Sequence, residues 1–147
     1  MKINKIWMWS LIIAAIGWID AVYLIILKYT NNKAMCIQGV GDCWTVNTSR
    51  YSMIAGVPVS VLGALAYLAI LALYLLERRA DFWKTQGVLI NFGLSLIGVL
   101  FSAYLTYLEI AVIHAICPFC VLSAICMLAL LGLNVARLAH SQTDEII

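Results

Sequence analysis

Charged side chains are scarce in this chain. Of its 147 residues, 11% are Asp, Glu, Lys or Arg, whereas 65% are hydrophobic. A water-soluble domain contains about 25% charged residues and could not bury so much apolar surface. The composition therefore excludes an ordinary soluble protein. The net charge of +2 gives no reason to expect a nucleic-acid partner.

Two further features are missing. No small-x-small cleavage site follows the first apolar run, so we interpret that run as a membrane span rather than a secretory signal. No internal repeat or low-complexity tract is present either. We expect one membrane domain over residues 1–147, with no soluble extension.

Four long apolar runs make up most of the chain. We predict membrane spans at about 6–28, 57–77, 87–113 and 117–138, each close to the ~20 residues that cross a hydrocarbon core. Helices satisfy their own backbone hydrogen bonds in lipid. The predicted fold is an all-α integral membrane protein, a four-transmembrane-helix bundle. A cysteine-bearing extracytoplasmic loop (29–56), with a short interfacial helix, joins helices 1 and 2.

The basic residues predict the orientation of the bundle. Lys2, Lys5, Arg78, Arg79, Lys84 and Arg137 flank one set of span ends, and Lys28, Lys33 and Arg50 lie at or in the first loop. By the positive-inside rule, both termini face the cytoplasm of a prokaryotic cell. The first loop and the turn before span four then face the oxidising, extracytoplasmic side.

The segment Cys117-Pro-Phe-Cys120 is the first candidate for chemistry. Pro118 suits the first turn of a helix, which places Cys117 at a helix N-terminus, where the dipole favours a thiolate. Cys120 shares its helix face, and a nucleophilic cysteine beside a resolving partner is what thiol–disulfide exchange requires. Two structural cysteines are the alternative. We prefer that structural interpretation for Cys126, which is about 180° around the helix from Cys117.

Cys36 and Cys43 form a second pair, in the first loop. The six residues between them include Gly39 and Gly41, enough slack for a small disulfide ring. Two pairs on one side of the membrane could be the entry and exit of an electron relay. A structural disulfide and a four-cysteine zinc site are alternatives. We expect no metal, because the gap exceeds the usual spacing of zinc ligands.

Two acidic residues, Asp20 and Glu109, lie inside predicted spans. Carboxyl groups in a membrane are costly and indicate function by default. Counted back from the outward span ends at 1.5 Å per residue, both lie roughly 12 Å deep, beneath the cysteines. They could line a polar pocket or relay protons to an apolar acceptor, or could simply bond to neighbouring helices. His114 is a further candidate proton donor.

Taken jointly, these motifs resemble the vitamin K epoxide reductase family, particularly its bacterial and archaeal members. The resemblance covers roughly residues 10 to 135. It rests on Gly-x-x-Asp20-x-x-Tyr-Leu, Cys36…Cys43-x5-Ser49-x-Tyr51, Gly56-Val-Pro58 and Tyr-Leu-Thr-Tyr-Leu-Glu109-x3-Ile-His114-Ala-Ile-Cys117-Pro-Phe-Cys120.

The resemblance implies a four-helix bundle around a quinone, either ubiquinone or menaquinone. Cys36 and Cys43 would be the shuttle pair, and Cys117 would exchange with Cys43. Cys120 would contact the quinone, with Asp20 and Glu109 lining the pocket. Ser49 matches a Ser/Thr position near the active site of the family.

Two departures refine the expected function. Ala124 stands where the animal enzymes have a tyrosine associated with quinone recognition, which argues against epoxide reduction. The thioredoxin-like domain fused to many bacterial relatives is not present in this chain. We therefore expect a quinone-dependent oxidoreductase that reoxidises a separate, extracytoplasmic thioredoxin-like protein. A mercury or copper carrier, a vitamin K epoxide reductase and a non-enzymatic adaptor remain alternatives.

Overall fold

Four long helices dominate the structure, a computed structural model that describes residues 2–32, 34, 36 and 41–146. These helices are α1 (Lys2–Thr30), α3 (Val59–Leu76), α4 (Asp81–Leu108) and α5 (Pro118–Ile146), and the short helix α2 (Cys43–Thr48) lies between α1 and α3. Each long helix is apolar enough to cross a membrane, which confirms the predicted four-span architecture. Lys33 and Gly39 of the first loop lie outside the described residues.

The helices extend beyond the predicted spans. Helix α4 begins at Asp81 rather than near residue 87, and α5 continues to Ile146 rather than ending near 138. Apolar runs mark only the part of a helix that lies in hydrocarbon, whereas polar residues such as Lys and Gln continue a helix well. The segment after 138 is therefore helical, and residues 139–143 of it are exposed.

The core forms where α1 packs against α3 and α5, and α5 packs against α4. Its buried members are Ala14, Ala21, Ala64, Tyr67, Ile70, Tyr74, Cys126, Met127 and Leu130. Gly17 permits the closest approach, because a Cβ atom there would lie 2.3 Å from the Tyr67 ring. Small residues let membrane helices pack closely, and here one glycine receives a whole aromatic ring.

The segment after α2 departs from an all-α fold. A 3₁₀ turn (Arg50–Ser52) leads into a two-stranded antiparallel hairpin, β1 (Met53–Ile54) and β2 (Val57–Pro58). Ala55 and Gly56 both have positive φ, as a two-residue hairpin turn requires. The sequence predicted a break at Gly56 but not the hairpin. Strands of two residues are too short to show an alternating pattern of apolar and polar residues.

The end of the bundle opposite the cysteines holds a buried polar network. The Glu77 carboxylate pairs with Arg137 (Nη2 to Oε2, 2.5 Å) and accepts a hydrogen bond from Asn91 Nδ2 at 3.3 Å. Burial raises the pKa of Glu77, and the hydrogen bond from Arg137 opposes that rise. Each of these two charges is therefore stabilised by the other, because both side chains are buried away from water.

Candidate functional site

The Cys117–Cys120 pair begins α5. Pro118 is the first residue of that helix, as the sequence predicted, and the Val121 amide donates to the Cys117 carbonyl at 3.1 Å. The Cys117 side chain is fully buried. A hydrogen bond from the Cys120 side chain lowers the pKa of the Cys117 thiol, although burial opposes this shift. Of the two sulfurs, Cys117 is therefore the one prepared to act as a thiolate.

Glu109 contacts both halves of this pair. Helix α4 ends in a π-helical turn (Glu109–Ile113), after which His114 takes a left-handed conformation with φ 54°. The turn brings the buried Glu109 carboxylate to the Cys117 amide, which donates to Oε2 at 3.1 Å. The same carboxyl group is hydrogen-bonded to the Cys120 side chain. His114 serves this geometry through its backbone, and its side chain is exposed.

The first loop is docked directly onto this turn. The Asp42 amide donates to the Ile116 carbonyl at 3.0 Å. Gly41 (φ +140°) makes the contact possible, since a Cβ atom there would lie 2.5 Å from the Ile116 oxygen and 2.9 Å from Pro118 Cδ. Cys43 follows Asp42 directly, and it forms a disulfide with Cys36 at a Cα–Cα distance of 6.1 Å.

All four of these cysteines meet around one buried cluster. Cys43 and Cys117, 1% and 0% exposed, are both members of it, and Cys36 and Cys120 pack against its edge. Cys117 and Cys120 are free thiols, so the loop pair is oxidised and the inner pair reduced. Among the described residues, no three His, Cys, Asp or Glu side chains are grouped as metal ligands would be.

Polar contacts fix α2 over the end of α1. Asn47 Nδ2 donates to the Leu24 carbonyl at 3.1 Å, and Lys28 Nζ donates to the Asn47 carbonyl at 3.0 Å and to Ser52 Oγ at 2.6 Å. From the sequence, Lys28 was interpreted only as a loop charge, and Asn47 was not among the predicted site residues. The spacing of Asn47 from Cys43 could have indicated that it lies near the cysteines, because residues four apart share a helix face.

A cavity of about 310 Å³ lies beside Cys120, between the helices and beneath α2. Its wall is mostly apolar, and its polar members include Cys120, Glu109, Ser123 and Tyr67. Leu62 of α3 and Ile97 of α4 also line it, although they are 38% and 65% exposed. The cavity therefore opens sideways between α3 and α4, toward the lipid.

Ser49 and Tyr51 cover the cavity from the loop side, and both belong to its lining. The Ser49 hydroxyl donates to the Val46 carbonyl at 2.8 Å, at the C-terminal end of α2. Its oxygen can still accept a hydrogen bond from a ligand, because a hydroxyl has two lone pairs. The structure thus brings Ser49, Glu109 and Cys120 to one cavity.

Asp20 lies outside this group. It is buried, but the neighbouring Ala21 and Leu24 line the cavity while Asp20 does not. Neighbouring residues of a helix are rotated by about 100° from each other, so the Asp20 side chain points to a different side of α1 than that of Ala21. Asp20 interacts instead with Tyr67 and Cys126, and its Oδ2 atom has no hydrogen-bond partner among the described residues. Cys126 belongs to the main core.

The family model described as "Vitamin K epoxide reductase family" matches residues 8–135. This chain belongs to the vitamin K epoxide reductase family. The match takes in all of α3 and α4, most of α1 and α5, the loop disulfide and the Cys117–Cys120 pair. The resemblance inferred from the motifs is therefore confirmed, and this family member has four helices long and apolar enough to cross a membrane.

A curated relative adds to this assignment. This chain is 31% identical, over 134 residues, to "Thiol-disulfide oxidoreductase LTO1" of Arabidopsis thaliana. The aligned part covers 88% of this chain and 36% of that protein. The chain therefore spans about a third of the length of this relative.

Proposed function

We propose that this protein is a thiol–disulfide oxidoreductase that passes electrons from a partner dithiol, through its own two cysteine pairs, to a membrane quinone. The observation that carries the proposal is the arrangement of the sulfurs. Four cysteines surround one buried cluster, and one of them, Cys120, lines an apolar cavity that opens to lipid. The name of the LTO1 relative supports the same chemistry.

Electrons enter at the loop pair. A partner thiolate attacks the Cys36–Cys43 disulfide, and a second partner thiol resolves the mixed disulfide. The partner leaves oxidised, and Cys36 and Cys43 become thiols. Cys36 is the expected point of attack, because Cys43 is buried and faces the inner pair. The partner we propose is a separate thioredoxin-like protein on the extracytoplasmic side, with both termini of this chain in the cytoplasm.

The inner pair receives the same two electrons. When Cys117 and Cys120 form a disulfide, Cys43 attacks Cys117 and releases Cys120 as a thiolate. Cys36 then attacks Cys43, which restores the loop disulfide and frees Cys117. The result is an oxidised loop pair beside two inner thiols, the arrangement seen in the structure. The hydrogen bond that lowers the Cys117 pKa makes this sulfur a good leaving group.

A quinone supplies the final step, because it accepts two electrons and two protons when bound. Proteins of this family act with quinones in general. The cavity suits such a group, since its volume of about 310 Å³ lies within the range of small-molecule sites and its exposed wall is mostly apolar. Cys120 would contact the ring, and Ser49 and Tyr51 would cover it. The choice between ubiquinone and menaquinone is left to experiment.

Glu109 accepts and passes on protons at this site. Its carboxylate accepts a hydrogen bond from the Cys117 amide and is also hydrogen-bonded to the Cys120 side chain. It can therefore take the Cys120 proton as that sulfur becomes reactive, and it lines the cavity into which the proton must go. A buried carboxyl group within hydrogen-bond reach of the reacting atom meets the geometric requirement for a general base.

The test of this function uses the full chain, a reduced thioredoxin-fold protein and a short-chain quinone. We expect partner thiols to be lost in proportion to quinone reduced, one dithiol per quinone. Cys126→Ala is the matched control, because Cys126 lies in the core away from the cavity, and it should retain the activity. Absence of quinone-dependent thiol loss in the unmodified protein would refute the proposal.

Gly41→Ala should slow the transfer between the two cysteine pairs by about fivefold or more, since overpacking costs about 1–3 kcal/mol. The added methyl group would meet the Ile116 carbonyl and Pro118, and would push the loop off the inner pair. Gly56→Ala is the control, because Gly56 also has positive φ but no atom lies within 4 Å of the point where its Cβ atom would stand. Stopped-flow measurement of the exchange checks this, and equal slowing in both variants would contradict it.

A further inference from the structure

A second cavity, of about 320 Å³, lies at the opposite end of the bundle from the cysteines. It is formed by the start of α1, the α3–α4 connection, the start of α4 and the end of α5. Three basic side chains line it, Arg78, Lys84 and Arg137. Arg137 is paired with Glu77 and Lys84 with Asp81, which leaves Arg78 without a carboxylate partner among the described ion pairs. No step of the proposed electron relay uses this cavity.

Arg137 gives this cavity a buried hydrogen-bond donor without a partner. Its side chain is 9% exposed and pairs with Glu77 through Nη2. The other terminal nitrogen, Nη1, is buried and has no hydrogen-bond partner among the described residues. An unsatisfied buried donor is costly, and more so when it is charged. Arg137 lines the cavity, so an oxyanion there would satisfy Nη1 after a small turn of the guanidinium toward it.

Arg78 is held in place at the same cavity. Its guanidinium carbon lies 3.9 Å from the centroid of the Trp7 ring. That ring is fixed in turn, because Trp7 Nε1 donates to the Tyr74 carbonyl at 3.1 Å. Stacking leaves the N–H groups at the edge of the guanidinium plane free to bind an anion. Arg78 is therefore positioned before any ligand arrives.

The depth of the cavity indicates which oxyanion it meets. Arg78 lies between the spans Val59–Leu76 and Asp81–Ile113, at the boundary of the hydrocarbon region. Phospholipid phosphates lie at this level of a bilayer, and basic pockets between helix ends bind anionic headgroups. We propose that this cavity binds the phosphate group of an anionic phospholipid. The same oxyanion chemistry would also accept inorganic phosphate, so the experiment must separate these two sources.

Native mass spectrometry of the full chain, with phosphatidylglycerol and phosphatidylcholine of identical acyl chains, tests the proposal. We expect phosphatidylglycerol to be retained in preference, and Arg78→Ala to weaken its binding about fivefold, the contribution of one basic side chain near an anionic surface. Arg79→Ala is the matched control, because Arg79 is the exposed neighbour of Arg78 in the chain but does not line the cavity. It should bind phosphatidylglycerol as the unmodified chain does.

Two results would overturn the proposal. Equal retention of the two lipids, or equal weakening by Arg78→Ala and Arg79→Ala, would show that the cavity does not select an anionic headgroup. A parallel titration with inorganic phosphate, followed by thermal unfolding, separates the sources. Stabilisation by phosphatidylglycerol but not by phosphate supports the lipid. Full stabilisation by phosphate alone would overturn the assignment to lipid.

Discussion

Cys117→Ala is expected to reduce quinone-dependent thiol oxidation to background, a loss of about a thousandfold or more because a nucleophile is removed. In the proposed relay every electron pair passes through this sulfur, which is buried against Cys43. The loop disulfide should still form and still react with the partner. Single-turnover reduction of Cys36–Cys43 by the partner would therefore remain, while quinone reduction stops. Full activity of this variant would exclude the relay.

The pairing of sulfurs can be tested by leaving one cysteine in each pair. In a Cys36→Ala/Cys120→Ala double variant, mild oxidation should link Cys43 to Cys117, because these two residues share the buried cluster. Cys43→Ala/Cys120→Ala is the matched control, and it should form the Cys36–Cys117 link far more slowly. Peptide mapping under non-reducing conditions reads both products. Faster linkage in the control would contradict the proposed order of the sulfurs.

Glu109→Gln is expected to slow quinone-dependent turnover by about a hundredfold or more, within the usual contribution of a general base. Glutamine keeps the size of the side chain and can still accept the hydrogen bond from the Cys117 amide. It cannot take a proton. Exchange between the two cysteine pairs, measured without quinone, should therefore slow much less than turnover does.

Asp20→Asn is the comparison variant for that experiment. Asp20 is the other buried carboxyl group of the spans on this side, but it does not line the cavity. We expect its effect on turnover to stay below about tenfold, since it removes no group that touches the reacting atoms. If the two variants slow turnover equally, Glu109 has no special part in moving protons.

The sequence was sufficient for the parts of the site that local chemistry determines. Pro118 places Cys117 at a helix start, because a residue without an amide proton suits only that turn. The four spans follow from hydropathy, since each helix crosses the same thickness of lipid. The predicted depth of roughly 12 Å beneath the cysteines was wrong for Glu109, because the chain turns back after the π-helical turn Glu109–Ile113 and brings the Cys117 amide to its carboxylate.

Contacts between distant segments could not be predicted in this way. Gly41 matters because of the Ile116 carbonyl, seventy-five residues later, and nothing near Gly41 records that contact. In the sequence, Glu77 resembles an ordinary loop charge, whereas in the structure it pairs with Arg137 of α5. Asp20 is buried within α1, but its rotation away from the cavity depends on how α1 packs against Tyr67.

The burial of Cys43 and Cys117 has a consequence for selectivity against small reductants. Both sulfurs are almost fully enclosed, at 1% and 0% exposure, between a water-facing loop and a lipid-facing cavity. A small soluble thiol can collide with an exposed sulfur but has no path to either of these two. In the proposed relay, a small aqueous thiol can therefore attack the loop disulfide only at the half-buried Cys36, which limits electron leakage from free thiols to that one sulfur.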